Sequence, residues 1–259
     1  MARLHLMGER HNNGLHGMTG RRPMTWERVL RGDPSPEALH RAARTWGVID
    51  ASNPLHIAAR IPGTTPRTIR VLLDLECDPL AWDDNGESAA AALCASDRWD
   101  LYNALHLPVD IVLDDRDHAA LHHAAAMRNA EAIADLVRRK ANPLALTAGG
   151  WMPLHDALNS NCLGPNLDWL TPLLPSASQV IGRRGLTALH FAASNLSEPD
   201  TVLAIVDRLL EAGCDPTATD DRGLRPTARA GHGAVAARID RAVLEAAAGP
   251  TVPRPRRRM

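Results

Sequence analysis

Apolar residues in this chain come in short runs of helical length, each closed by turn residues. One run, Asn53-Pro54-Leu55-His56-Ile57-Ala58-Ala59, recurs as Ala119-Ala120-Leu121-His122-His123-Ala124-Ala125. It returns as Met152-Pro153-Leu154-His155-Asp156-Ala157-Leu158 and as Thr187-Ala188-Leu189-His190-Phe191-Ala192-Ala193. His56 and His122 are 66 residues apart, His122 and His155 are 33 apart, and His155 and His190 are 35 apart. The double gap has room for one degenerate copy, Gly86-Glu87-Ser88-Ala89-Ala90-Ala91-Ala92-Leu93. Each copy predicts a helix. Pro54 and Pro153 fall in its first turn, where a missing N–H costs nothing. The pair Ala58-Ala59 permits close approach of a neighbour, which larger side chains would overpack. A second helix is predicted from Thr65-Pro66, an N-cap followed by proline, and from Ser197-Glu198-Pro199 to near Glu211. Further helices are predicted near Met24–Leu30, Pro36–Trp46 and Ile239–Ala248. Between units, Asp83-Asp84-Asn85-Gly86 and Asp220-Asp221-Arg222-Gly223 are turn chemistry for hairpins.

A period of about 33 residues carrying T-P-L-H-x-A-A resembles the ankyrin repeat. The resemblance covers residues 20–249. Leu209-Leu210-Glu211-Ala212-Gly213-Cys214-Asp215-Pro216 matches the end of the second helix and its exit turn. Val71-Leu72-Leu73 with Cys77-Asp78-Pro79 repeats it, with Glu76 where the family prefers glycine. Leu136-Val137 with Ala141-Asn142-Pro143 does so again, with Lys140 in the glycine place. The resemblance implies an all-α solenoid of helix–turn–helix units with projecting β-hairpin loops. Such units bury their apolar faces only by stacking. The expected division is a flexible leader (1–19), a degenerate N-terminal capping repeat (20–51) and five repeats (52–86, 87–117, 118–150, 151–185, 186–223). A C-terminal capping repeat (224–249) and a disordered Arg/Pro-rich tail (250–259) complete it.

Charge narrows the function. The 259 residues hold 29 basic and 30 acidic groups, for a net −1. A general nucleic-acid or membrane-surface binder would be markedly basic. One Phe and one Tyr make no stacking platform for bases. No apolar run approaches the roughly 20 residues of a membrane span, and the first twenty residues lack the apolar stretch of a secretory signal. A cytoplasmic protein without nucleic-acid or membrane partners is expected. The near-zero charge is a cancellation: residues 1–50 are +3 and the tail is +4, leaving −8 between them. Lys140 is the sole lysine, which suggests a GC-rich bacterial source. The tail, with Arg254, Arg256, Arg257 and Arg258, looks like the export signal of some type IV secretion substrates. Delivery into a host cell is therefore the second expected location.

Sites follow from phase. The resemblance implies that His56, His122, His155 and His190 are structural, hydrogen-bonding between neighbouring repeats. His122 and His123 are adjacent helix positions pointing to different faces, so no metal site is expected there. The four cysteines include no C-x-x-C pair. Cys77 and Cys214 are expected as buried fillers, and Cys162 with His155 has no catalytic signature around it. No nucleophile–base pair, phosphate loop or metal cluster is evident, so no enzyme activity, cofactor or metal is expected.

The resemblance places partner binding on the hairpin tips and the adjoining concave helix face. Those positions hold Trp82, Asp84, Asn85 and Glu87 on the first tip, and Asp115, Arg116 and His118 on the second. Trp151 is on the third, Arg183 and Arg184 on the fourth, Asp221 and Arg222 on the fifth. Along this series the tips run acidic, apolar, basic, a footprint complementary to a bipolar protein or peptide. Trp82 and Trp151 either project as anchors or fold onto a neighbouring hairpin, and the sequence does not choose. Trp26, Trp46, Trp99 and Trp169 are assigned to helices and core. The expected function is a non-enzymatic protein-interaction module, monomeric alone. It would be a bacterial effector acting on a host protein, or an endogenous scaffold or immunity-type inhibitor.

Overall fold

The computed structural model describes residues 25–32, 34–46, 53–159, 163–179 and 181–248. The leader, the tail and Cys162 lie outside these residues. Twelve α-helices are present among them: α1 (Trp26–Leu30), α2 (Pro36–Trp46), α3 (Pro54–Arg60), α4 (Pro66–Asp74), α5 (Ala89–Ala95) and α6 (Trp99–Ala104). After these come α7 (Ala120–Met127), α8 (Ala130–Arg138), α9 (Pro153–Leu158), α10 (Ala188–Ser194), α11 (Pro199–Glu211) and α12 (Gly233–Ala248). They form two layers. α1, α3, α5, α7, α9 and α10 stack in order as the inner layer, which ends on a 3-10 turn at Pro226–Arg229. The outer layer holds the second helix of each unit, with α2 on α4, α4 on α6 and α11 on α12. In the fourth unit a 3-10 helix, Thr171–Gln179, replaces the outer α-helix and bridges α8 and α11. Pro172 and Pro175 remove two backbone donors there, which disfavours an α-helix.

The core is one continuous ribbon of small and branched side chains between these layers. Ala58, Ala59, Ala124, Ala125, Ala192 and Ala193 are buried on the inner helices, and Ile69, Leu72, Ile133, Leu136, Ile205 and Leu209 on the outer ones. Helix starts are capped locally. Asn53 Oδ1 accepts the Leu55 N–H (2.9 Å), Thr65 Oγ1 the Thr68 N–H (3.3 Å) and Asn129 Oδ1 the Ala132 N–H (2.9 Å). At the exits of the outer helices Glu76, His106 and Lys140 adopt φ of 63°, 53° and 72°, where Gly213 adopts 85°. Three residues with a Cβ thus accept the left-handed conformation that glycine takes freely.

The motif histidines tie each unit to the next. Nδ1 accepts a backbone N–H at the start of its own helix: from Ala119 to His122 (3.1 Å), from Met152 to His155 (3.1 Å) and from Thr187 to His190 (3.2 Å). The Nε2–H then donates to a carbonyl of the following hairpin: His56 to Glu87 (3.0 Å), His122 to Ala145 (3.1 Å), His155 to Leu186 (3.2 Å) and His190 to Leu224 (3.0 Å). For the last three, an acceptor at Nδ1 and a donor at Nε2 define one neutral tautomer. Burial pushes His122 and His155 down to about 4. In the degenerate second unit Ala91 stands in the histidine position, and Ser88 Oγ takes the Ala91 N–H instead (3.1 Å).

Two expectations need correction. The last helix begins at Gly233, six residues before Ile239, and Val235 from its added turn is buried. Trp169 is buried but sits in the turn leading into the 3-10 helix, not on an α-helix.

Candidate functional site

The hairpins project as five tips. In four of them the first turn residue closes on the carbonyl four residues on: Asp83 N–H to Glu87 (2.9 Å), Thr147 to Trp151 (2.9 Å), Gly182 to Leu186 (2.8 Å) and Asp220 to Leu224 (2.9 Å). The second tip closes one residue wider, Leu113 N–H to His118 (2.8 Å). Leu113, just before this turn, faces the core, where Trp82, Leu146 and Ile181 are exposed on theirs. A backbone hydrogen bond at the turn joins each tip to the next: Asp115 N–H to Gly86 (2.9 Å), Ala148 to Arg116 (2.8 Å), Arg183 to Gly150 (3.0 Å) and Asp221 to Arg184 (2.9 Å). The tips therefore form a single spine in fixed register.

Three tips share one carboxylate device. Oδ1 accepts two backbone N–H groups of its own turn: at Asp83 from Asn85 (2.9 Å) and Glu87 (3.1 Å), at Asp114 from Arg116 and His118 (3.0 Å each), and at Asp220 from Arg222 (2.9 Å) and Leu224 (3.0 Å). Oδ2 is held from outside the turn, and here the tips differ. Arg60 holds Asp83 (2.8 Å) and Arg229 holds Asp220 (2.5 Å), whereas Asp114 Oδ2 faces His118 Nδ1 (2.9 Å) and His123 Nε2 (3.4 Å). Arg229 and His123 each stand nine residues after their aspartate, in the same place on the inner layer. The Arg229 hydrogen bond holds Asp220 at about 2. Burial opposes the charge of Asp83, but Arg60 and the turn N–H groups still hold it at about 2. Burial likewise opposes the charge of Asp114, yet His123, His118 and the turn keep its carboxyl well below the usual range.

The fourth tip has no such carboxylate. A Cβ at Gly182 would lie 2.6 Å from His155 Cε1, so no side chain fits at its capping position. Arg183 and Arg184 follow, exposed, and neither takes part in an ion pair among the described residues.

Behind the second tip a cleft of about 270 Å³ opens against the inner helices, lined by Glu87, Asp114, His118, His123 and Asp156 among others. His123 on α7 and Asp156 on α9 occupy equivalent positions in adjacent units. Ligand atoms of Asp114, His118 and His123 lie within 4.8 Å of one another. Burial, with the Asp114 charge, pushes Asp156 up to about 7.

The predicted residues all lie on or beside the spine. Trp82 projects, 57% exposed. Trp151 instead folds edge-on against Phe191 (5.4 Å between ring centres) and is half-buried. Asp84, Asn85, Glu87, Asp115, Arg116, Asp221 and Arg222 are exposed, and Glu87 reaches Arg60 (3.3 Å). His118 is half-buried against Asp114 and is no outward contact. The acidic character presented by the first two tips is therefore smaller than the sequence suggests, because Asp83 is paired with Arg60 and Asp114 is buried with its oxygens turned to its own turn and the histidine rings. His122 and His123 diverge as adjacent positions should, but His123 meets Asp114 and His118 from another element. Asp156 is not legible from the sequence as a site residue. The signal that exposes the group is the nine-residue spacing from capping aspartate to inner helix. Cys77, Cys94 and Cys214 are buried, and burial pushes their thiols up, Cys77 and Cys214 to about 11. His155 is committed to two backbone groups.

Stacked helix pairs, a hydrogen-bonded row of tips and histidines bridging the units define an ankyrin-type solenoid. Comparison with known proteins agrees: residues 184–221 match the ankyrin repeat family model. Among solved structures, the ankyrin repeat domain of Bcl-3, described as a unique member of the IkappaB protein family, is similar with a TM-score of 0.66 and 22% identity. The match covers 84% of this chain and 98% of that one. In all, 393 solved chains match, so the fold is widely shared and does not single out a function. No curated protein matches by sequence. Ankyrin repeats are generally protein-interaction modules. Among the described residues no helix is long and apolar enough to cross a membrane.

Proposed function

We propose that this chain holds a protein partner along its row of hairpin tips and the adjoining face of the inner helices, without catalysing a reaction. One observation carries the reading. Trp82, Leu146 and Ile181 occupy the same position, immediately before the turn, on the first, third and fourth tips, and are 57%, 55% and 57% exposed. Exposed apolar side chains repeated in register on a fixed spine suit a partner that desolvates them. Trp82 is the anchor, since an indole buries much area at little entropic cost. Asp84 and Asp115 at one end and Arg183 and Arg184 at the other orient a partner of opposite polarity.

The test is photo-crosslinking from positions 82, 146 and 181, with capture compared between the wild-type chain and a Trp82→Ala, Leu146→Ser, Ile181→Ser variant. A partner held by the wild type should be released by the variant, with Trp82→Ala alone costing on the order of 2 kcal/mol of binding. A partner retained equally by both would sink the reading. The Arg-rich tail favours an effector delivered by a bacterial cell over an endogenous scaffold or inhibitor. Equal translocation of a reporter fusion with and without residues 250–259 would decide against it.

A further inference from the structure

We propose that Asp114, His118 and His123 bind a divalent transition-metal ion of the zinc class, with Asp156 in the same cleft as a fourth ligand. Two imidazoles and a carboxylate are the donor set that zinc, cobalt(II) and nickel(II) favour, whereas calcium and magnesium sites are built from oxygen. The three donors come from a hairpin and a helix, and their ligand atoms already lie within 4.8 Å of one another. Asp114 is oriented in advance. Two backbone N–H groups fix its Oδ1, which leaves Oδ2 aimed at the two rings. Such outer support of a ligating carboxylate is what metal sites require.

Two atoms in the cleft call for a partner. His123 Nε2 and Asp156 Oδ2 are both shut off from solvent and neither makes a hydrogen bond. His123 Nε2 comes within 3.4 Å of Asp114 Oδ2, near enough to attract but without hydrogen-bond alignment. Buried polar atoms left without partners are costly and rare. A cation on the three donors would satisfy His123 Nε2 and offset the Asp114 charge, with Asp156 closing on it from the same cleft.

The other capping aspartates show why the site is local. Asp83 and Asp220 have the same turn geometry, but a permanently charged guanidinium fills the place on Oδ2. Of the three, only Asp114 faces groups that can exchange a proton for a metal.

The test uses the full chain, stripped with a chelator, titrated with zinc chloride by calorimetry and with cobalt(II) by visible absorption. A site of micromolar affinity or tighter is expected. His123→Arg, which copies the Asp220–Arg229 pair, and His118→Gln should each weaken it at least tenfold, while the exposed-site control His40→Gln leaves it unchanged. In the unaltered chain, zinc should shift the imidazole nitrogen resonances of His118 and His123, a readout that does not depend on how a variant folds. No zinc binding, full affinity in His123→Arg, or nitrogen shifts confined to other histidines would each overturn the proposal.

Discussion

The second and fifth hairpins begin with the same residue in the same role and end in different chemistry. Asp114 and Asp220 each cap their turn with Oδ1, and each turns Oδ2 toward the residue nine positions on. At the fifth hairpin that residue is Arg229, and the pair is permanent. At the second it is His123, joined by His118, and the charge on the nitrogen side is conditional. A turn cap is thus a fixed point on which either a structural ion pair or a responsive cluster can be built. Which one results is decided by a side chain on the neighbouring helix, not by the turn.

Four measurements bear on this contrast. The largest effect is expected on acidification. The folded-state value of His155, about 4, lies below the ordinary 6.5, so the unfolded chain takes up this proton first. Stability is therefore whole above about pH 6.5 and declines as pH falls to about 4, by on the order of 3 kcal/mol from this group. The Asp220–Arg229 clasp should outlast it, because its carboxylate stays charged down to about 2. Urea melts at pH 7, 5.5 and 4 would show the decline; a flat profile would contradict the neutral, doubly bonded imidazole.

Removing the caps comes next. Asp114→Ala should cost about 2 kcal/mol, from two turn hydrogen bonds and the histidine contacts. Asp220→Ala should lower Tm further, since it leaves the permanent charge of Arg229 without its partner. Equal losses would remove the distinction between the two hairpins. His123→Arg should convert the second hairpin into the fifth and gain up to about 1 kcal/mol in the metal-free chain, read from the same melts. The smallest change concerns Asp117, at φ 62° where Gly223 serves the fifth tip. Asp117→Gly should gain about 0.5 kcal/mol by relieving the left-handed strain.

Much of the architecture is legible in the sequence because repetition multiplies weak signals. Pro at helix starts, Ala pairs at close contacts and His at one phase all recur, and each follows from local chemistry. The fourth unit escapes this logic: Pro172 and Pro175 announce a broken helix, but where Trp169 lands depends on packing. The exposure of Trp82 against the burial of Trp151 is also hidden, because Phe191 receives Trp151 from the next unit. The Asp114 cluster is concealed for a different reason. Its members belong to a turn and two helices, and the hairpin that brings them together is one residue wider than its neighbours, a register detail no motif reports. The nine-residue spacing is present in the sequence, but it acquires meaning only beside the Asp220–Arg229 pair.

The missing outer helix of the fourth unit has a consequence for how the molecule comes apart. In a linear chain of coupled elements, cooperativity is only as long as its weakest link. Most other neighbouring units pack α-helix on α-helix in the outer layer. At residues 171–179 the outer joint is a 3-10 turn with fewer and poorer hydrogen bonds. The array should behave as two blocks with a soft joint between them. Amide exchange would show it as a step in protection, with the amides around this joint opening at a lower free energy than the helices on either side.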